Sequence, residues 1–272
     1  MGLTFDGSQV RLMDVLYANE ADEKSFYNVV VAASFILFNV NALVLPRLAP
    51  GSARKTPEQL WKWRNIANSL IHSILSGIGA LVNLLKTPEL RHELISAYTM
   101  FSLATLSFSV GYFMFDFIDM ATHHRRSSTY ELLVHHTLVI ICFGLAVVTK
   151  YYQGYALVSL LIEINSIFLH IRQLLIIQGW QKSNMFYRIN SVFNLGTFIV
   201  FRLLNLCWMI CWLAVNQGGL NVGKVTVTYT AFAQMFFLVH SLKLLKKILV
   251  ADGYVSPSKC GFAGSDIAKK KC

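Results

Sequence analysis

Apolar residues in this chain come in long runs separated by short polar connections, without the strict alternation that marks a strand. A helix crossing about 30 Å of hydrocarbon needs roughly 20 such residues, because each backbone polar group must be satisfied within the segment. The runs predict seven spans, over residues 26–45, 65–85, 96–121, 131–151, 155–177, 186–215 and 225–249. The expected fold class is all-α, a polytopic membrane protein of about seven transmembrane helices bundled around a cavity. Almost nothing separates the fourth run from the fifth, which predicts a tight antiparallel hairpin. The sixth is long enough to tilt or to project from the membrane.

Polar residues inside the runs are not scattered. Asn65, Ser69, His72, Ser76, Gly79 and Asn83 recur at steps of three or four, as do Arg188, Ser191, Asn194, Phe198, Arg202 and Asn205. Each set forms one stripe that faces other helices in preference to lipid. Glu163, Ser166 and His170 share a face of the fifth run, and Asn165 and Arg172 share another. With helices alternating in direction, His72, Asp116, Asp119, His135, His136, Glu163, Asn165, His170 and Asn194 all fall in one half of the bilayer or at its middle. Ionisable groups at such depth are costly and mark sites or internal partners, so a polar cavity open toward one leaflet is expected. Adjacent helical residues point about 100° apart, so only one of His135 and His136 can face it squarely. The plainer roles are packing for the small polar residues, interfacial marking for Arg172 and Arg188, and ion pairing of Asp116 or Asp119 with Arg202 or Arg188.

Charge gives the bundle a direction. A net charge of +10 could suggest nucleic acid, but the basic residues alternate between connections, with 17 on one side and six on the other. The positive-inside rule puts the acidic N-terminal segment outside and the basic C-terminal tail in the cytosol. The expected organisation is an extracytosolic segment 1–25, a first helix with a basic cytosolic loop over 26–58, a membrane domain over 59–250 and a floppy basic tail over 251–272. No nucleic-acid partner is expected. No cleavable signal sequence is evident, so the first span would serve as its own insertion signal. The loop residues His123, His124, Arg125 and Arg126 are expected in solvent.

Composition adds little further chemistry. The five cysteines show neither a disulfide framework nor metal-ligand spacing, and no span carries a His-x-x-x-His or Glu-x-x-His pair. Neither a metal nor a cofactor is expected.

Five ordered blocks carry a family resemblance: WKWRNIANSLIHSILSG at 61–77, GYFMFDFIDM around Asp116, YELLVHH ending at His136, LLIEINSIFLHIRQLL around Glu163, and FYRINSVFNL around Asn194. Together they resemble the TLC domain over about residues 59–249. More narrowly, they resemble its small branch linked to plasma-membrane fluidity and phospholipid composition. The resemblance implies helices around a lipid-accessible cavity, as in the related ceramide synthases, whose catalytic His pair maps onto His135 and His136. Those enzymes continue with a His-Asp and a further Asp on the next helix, where this chain has Glu163, Asn165 and Ser166. The implied role is regulation of membrane phospholipid composition, limiting polyunsaturated acyl chains, through a lipid or acyl-thioester bound near His72, Asp116, Asp119, Glu163, Asn165, His170, Asn194 and Arg202. The alternative is an acyltransferase using His135 and His136 on acyl-CoA. A transporter is the remaining class, without inverted halves to support it. The expected partners are membrane lipids and acyl-CoA. The resemblance points to the plasma membrane, whereas the lysines at 269–271 match a retrieval signal of the endoplasmic reticulum.

Overall fold

The computed structural model describes residues 20–123, 127–218 and 223–255. The acidic N-terminal stretch, the loop basic pair and the terminal lysines and cysteines lie outside them. Among the described residues seven helices are long and apolar enough to cross a membrane: α1 (Tyr27–Leu48), α2 (Pro57–Lys86), α3 (Met100–His123), α4 (Thr129–Thr149), α5 (Gln153–Ile177), α6 (Met185–Asn216) and α7 (Lys224–Ala251).

Helix starts are set by capping chemistry as well as by hydropathy. Thr56 Oγ1 accepts from the Gln59 backbone N–H at 3.2 Å and Pro57 occupies the first turn, a combination that starts helices well. This lets α2 begin eight residues before its apolar run, and it buries Trp61 and Trp63 on an amphipathic first stretch. In contrast α3 starts late. Thr99 and Ser102 exchange backbone-to-side-chain hydrogen bonds at 2.8 and 3.0 Å, a reciprocal cap that fixes the start just after Thr99.

Packing centres on α3, which has 67% of its most apolar window buried against 17% for α7. α3 holds α1 through a close crossing at Gly111, where a Cβ would stand 2.5 Å from the Val30 carbonyl oxygen. There Ser34 donates to the Gly111 carbonyl at 2.7 Å. On its other sides α3 packs against α2 and α4, and α2 packs along α5. The α4–α5 connection is as tight as predicted, with Lys150 and Tyr152 at φ of 58° and 66°. Its backbone is tied to the α2–α3 segment by Tyr152 N–H to Ile95 O at 2.6 Å and Tyr155 N–H to Leu94 O at 3.1 Å.

Three spans are interrupted, which run length alone does not reveal. α1 widens into a π-turn over Val40–Val44, which ends two residues before Pro46, whose ring and missing N–H disrupt the preceding turn. α5 breaks at Leu161, and α6 contains a π-turn over Phe198–Leu204 that includes Arg202.

The expected floppy tail does not begin at Ala251. Asp252 accepts from Arg172 Nη2 at 2.5 Å and Nε at 3.1 Å, and from Tyr187 and Ser191 hydroxyls at 2.8 Å each. Arg172, expected as an interfacial marker, instead joins α5 to the end of α7.

Candidate functional site

The two adjacent imidazoles part company. His136 is buried between α3 and α4, with Nδ1 2.7 Å from the Leu132 carbonyl and Nε2 2.9 Å from Asp116 Oδ2. A carbonyl oxygen only accepts, so Nδ1 carries a proton. The second contact needs one more, held on Nε2 or on the carboxyl. The pair therefore shares a proton in a closed position, with Asp116 Oδ1 also accepting from Asn65 Nδ2 at 2.5 Å.

Asp119, one turn on, accepts from Trp61 Nε1 at 2.9 Å and Asn65 Nδ2 at 3.3 Å, and lies 3.3 Å from His123 Nδ1. The expected ion pair between either aspartate and Arg202 or Arg188 is thus corrected. The carboxylates turn toward α2 and α4, whose donors reach them first.

His135, rotated away from this cluster, meets Phe237 and His240 of α7 at ring-centroid distances of 4.9 and 6.2 Å. Its Nδ1 is buried and has no hydrogen-bond partner among the described residues. It lines a cavity enclosed by α3 to α7, together with Glu163, Arg202, His240 and a long apolar wall that includes Phe143, Leu160, Leu206, Met209 and Phe237. Along α7 the lining runs from Thr226 to Ser241, 15 residues or about 22 Å at 1.5 Å per residue. The imidazole, carboxylate and guanidinium groups of the lining, His135, Glu163, Arg202 and His240, gather at one end, and the opposite end lies against Ile95, Tyr152 and Trp212 with neutral polar groups such as Thr226 and Thr230.

Arg202 is 8% exposed. It donates from Nε to Asn165 Oδ1 at 2.9 Å and from Nη2 to Ser166 Oγ at 3.0 Å, both neutral acceptors. Asn165 in turn donates to the carbonyl and side-chain oxygens of Asn194 at 3.1 and 3.2 Å. The π-turn sets this up by bringing Arg202 onto α5 from a helix whose regular part begins at Met185, nearly five turns earlier. Glu163 accepts from Ser73 at 2.6 Å, and His72 Nδ1 stands 4.0 Å from the same oxygen. His72 stacks on Tyr112 at 3.8 Å between centroids, and the Tyr112 hydroxyl donates to Ser69 at 2.8 Å.

The expected cavity does not take in all the polar residues at its depth: His135 and Glu163 line it, whereas His136 and Asp116, the latter expected beside the bound lipid, are locked behind it. His72, Asn165, Asn194 and His170 support or flank the cavity without lining it, and Asp119 lies outside it. Sequence reasoning missed Tyr155, whose hydroxyl donates to the Met209 carbonyl at 2.9 Å and accepts from Gln234, because a tyrosine in an apolar run carries no signal of its own. It also missed Asp252, which lies just past the last span. There burial would raise the carboxyl pKa, but the hydrogen bonds from Arg172, Tyr187 and Ser191 outweigh it and hold it below the ordinary value. Among the described residues no cluster of three or more His, Cys, Asp or Glu side chains forms a metal site.

Comparison with known proteins agrees with this architecture. The TLC domain model matches residues 62–249, the stretch that contains α2 to α7 almost entire. TLC domain-containing protein 2 of Danio rerio is 41% identical over 201 residues, covering 74% of this chain and 79% of that protein. The Homo sapiens protein of the same name is 38% identical, covering 73% and 74%. TLC domain-containing protein 1 of Gallus gallus is 32% identical, covering 85% and 88%.

Proposed function

The chain belongs to the TLC domain family, and we propose that it regulates membrane phospholipid composition by holding one acyl chain of a lipid or acyl-thioester in the α3–α7 cavity. The carrying observation is the asymmetry of that cavity: its lining runs about 22 Å along α7, with His135, Glu163 and Arg202 at one end and an apolar wall that includes Phe143, Leu160, Leu206 and Met209 along the rest. One leaflet of hydrocarbon is about 15 Å thick, half of the roughly 30 Å core, so the space suits an extended chain with its polar end at the three residues. By resemblance, the consequence for the cell is less polyunsaturated acyl chain in its phospholipids and a less fluid plasma membrane. Mass spectrometry of lipid released from the purified protein tests binding, and acyl profiles of cells lacking the protein test the consequence. Protein that carries no lipid, or unchanged profiles under fatty-acid challenge, would refute the respective half.

A second reading is favoured by one specific observation, the unpartnered His135 Nδ1 at the cavity wall. A free imidazole nitrogen can act as general base or accept an acyl group, which makes acyl transfer from acyl-CoA the alternative. Labelled acyl-CoA and a lysophospholipid, given to the wild type and to His135→Ala, decide it. Transfer or an acyl adduct in the wild type alone supports an enzyme, and neither in either protein excludes this reaction.

A further inference from the structure

The cavity has a thin wall. α7 packs mainly on the second half of α6 and only lightly on α4, and the hydrogen bond between α4 and α7, from the Tyr229 hydroxyl to the Leu138 carbonyl, is 3.4 Å long. Yet residues of both helices, His135, Val139 and Cys142 on one side and Tyr229, Phe237 and His240 on the other, line the cavity. At the basic end of this seam Glu131 lies 3.9 Å from both Lys243 Nζ and His240 Nδ1. Glu131 and Lys243 are well exposed, at 48% and 60%, and such long surface pairs contribute at most about 1 kcal/mol. They exchange readily for another anion.

We propose that the α4–α7 seam is a lateral portal for a glycerophospholipid, whose phosphate takes the place of Glu131 on Lys243 and His240 while one acyl chain enters the cavity. This rests on the lipid-cavity reading and adds the ligand class and the route. Charge complementarity carries it. Among the described residues Lys243 and His240 are opposed only by Glu131 in the ion pairs at the seam, whereas deeper in, Arg202 meets neutral acceptors. No carboxylate oxygen lies within ion-pair distance of Arg202 among the described residues. That arrangement suits a phosphate at the mouth and an ester carbonyl below it. Phosphate on an acyl-CoA has the same chemistry but arrives from water, so the two sources need separate arms.

The full chain in nanodiscs, offered phosphatidylglycerol or diacylglycerol with identical deuterated chains, or acyl-CoA from solution, tests the portal by mass spectrometry of the retained species. Phosphatidylglycerol is retained in preference to diacylglycerol. The double variant His240→Gln, Lys243→Gln lowers its retention about tenfold, the worth of one charged hydrogen bond, and Glu131→Gln raises it by removing the competing carboxylate. Bridging Glu131→Cys to Lys243→Cys with a bismaleimide, in a chain whose native cysteines are Ala, stops exchange of phosphatidylglycerol already bound. Equal retention of diacylglycerol, retention of acyl-CoA alone, lower retention in Glu131→Gln, or undiminished exchange across the bridged seam would overturn the portal and leave the cavity reading standing. Retention of nothing overturns both.

Discussion

At the scale of single residues, the adjacent histidines do different work because a helix turns about 100° per residue. Removing the His136 imidazole leaves Asp116, 3% exposed, with the neutral Asn65 amide in place of a group that can share its charge or proton. Breaking a buried pair from one side costs about 3 kcal/mol or more. His136→Ala should therefore lower the thermal unfolding temperature in detergent clearly, whereas His135→Ala should leave it within a degree or two of wild type while reducing lipid retention. Equal destabilisation by both would show that the Asp116 contact is not what distinguishes them. Asp252 gives a pH test. Its carboxyl pKa is depressed in the folded protein, so its stabilising contribution is full above the unfolded value near 4 and is lost as pH falls through the lower folded value. The stability difference between wild type and Asp252→Asn should be constant from pH 5 to 8 and shrink below about pH 4. A difference that grows on acidification would contradict the sign.

At the scale of elements, close crossings and broken turns position the site. Gly111 lets α1 touch α3, and a larger side chain there meets backbone at 2.5 Å. Gly111→Val should cost about 1–3 kcal/mol, the usual penalty for overpacking, read as a lower unfolding temperature. Since α1 lies outside the matched TLC segment, loss of lipid retention in the same variant would show that α1 also supports the cavity. The π-turn of α6 makes a second test. Deleting Ile199 removes the extra residue of the wide turn and shifts everything beyond it by about 100° relative to α5. Arg202 would leave Asn165 and Ser166, so retained lipid should fall although the span remains apolar enough to insert.

For the whole molecule, alternating basic connections predict that the basic ends of α2, α4 and α6 lie in the cytosol. The C-terminus should then bind antibody in cells only after permeabilisation, and staining of intact cells would reverse the orientation. The depth at which polar residues cluster would survive such a reversal, because it depends on helices alternating in direction and not on which side is which.

The number of spans, their ends at most connections, the polar stripes and the family were legible in sequence, since hydropathy over about 20 residues reports the cost of exposing backbone to lipid. The same local information identified His135, Glu163 and Arg202 as polar residues at membrane depth. It did not distinguish those that meet an open cavity from those, such as His136 and Asp116, that satisfy each other. That choice is made by helix rotation and by partners more than 20 residues away, such as Asn65 for Asp116 and Asn165 for Arg202. Nor did it find the capture of Asp252 by Arg172, Tyr187 and Ser191, because a lone aspartate after the last apolar run looks solvated until three helix ends converge on it. Tertiary structure decided these points because a buried polar group must find its partner wherever the packed helices supply one.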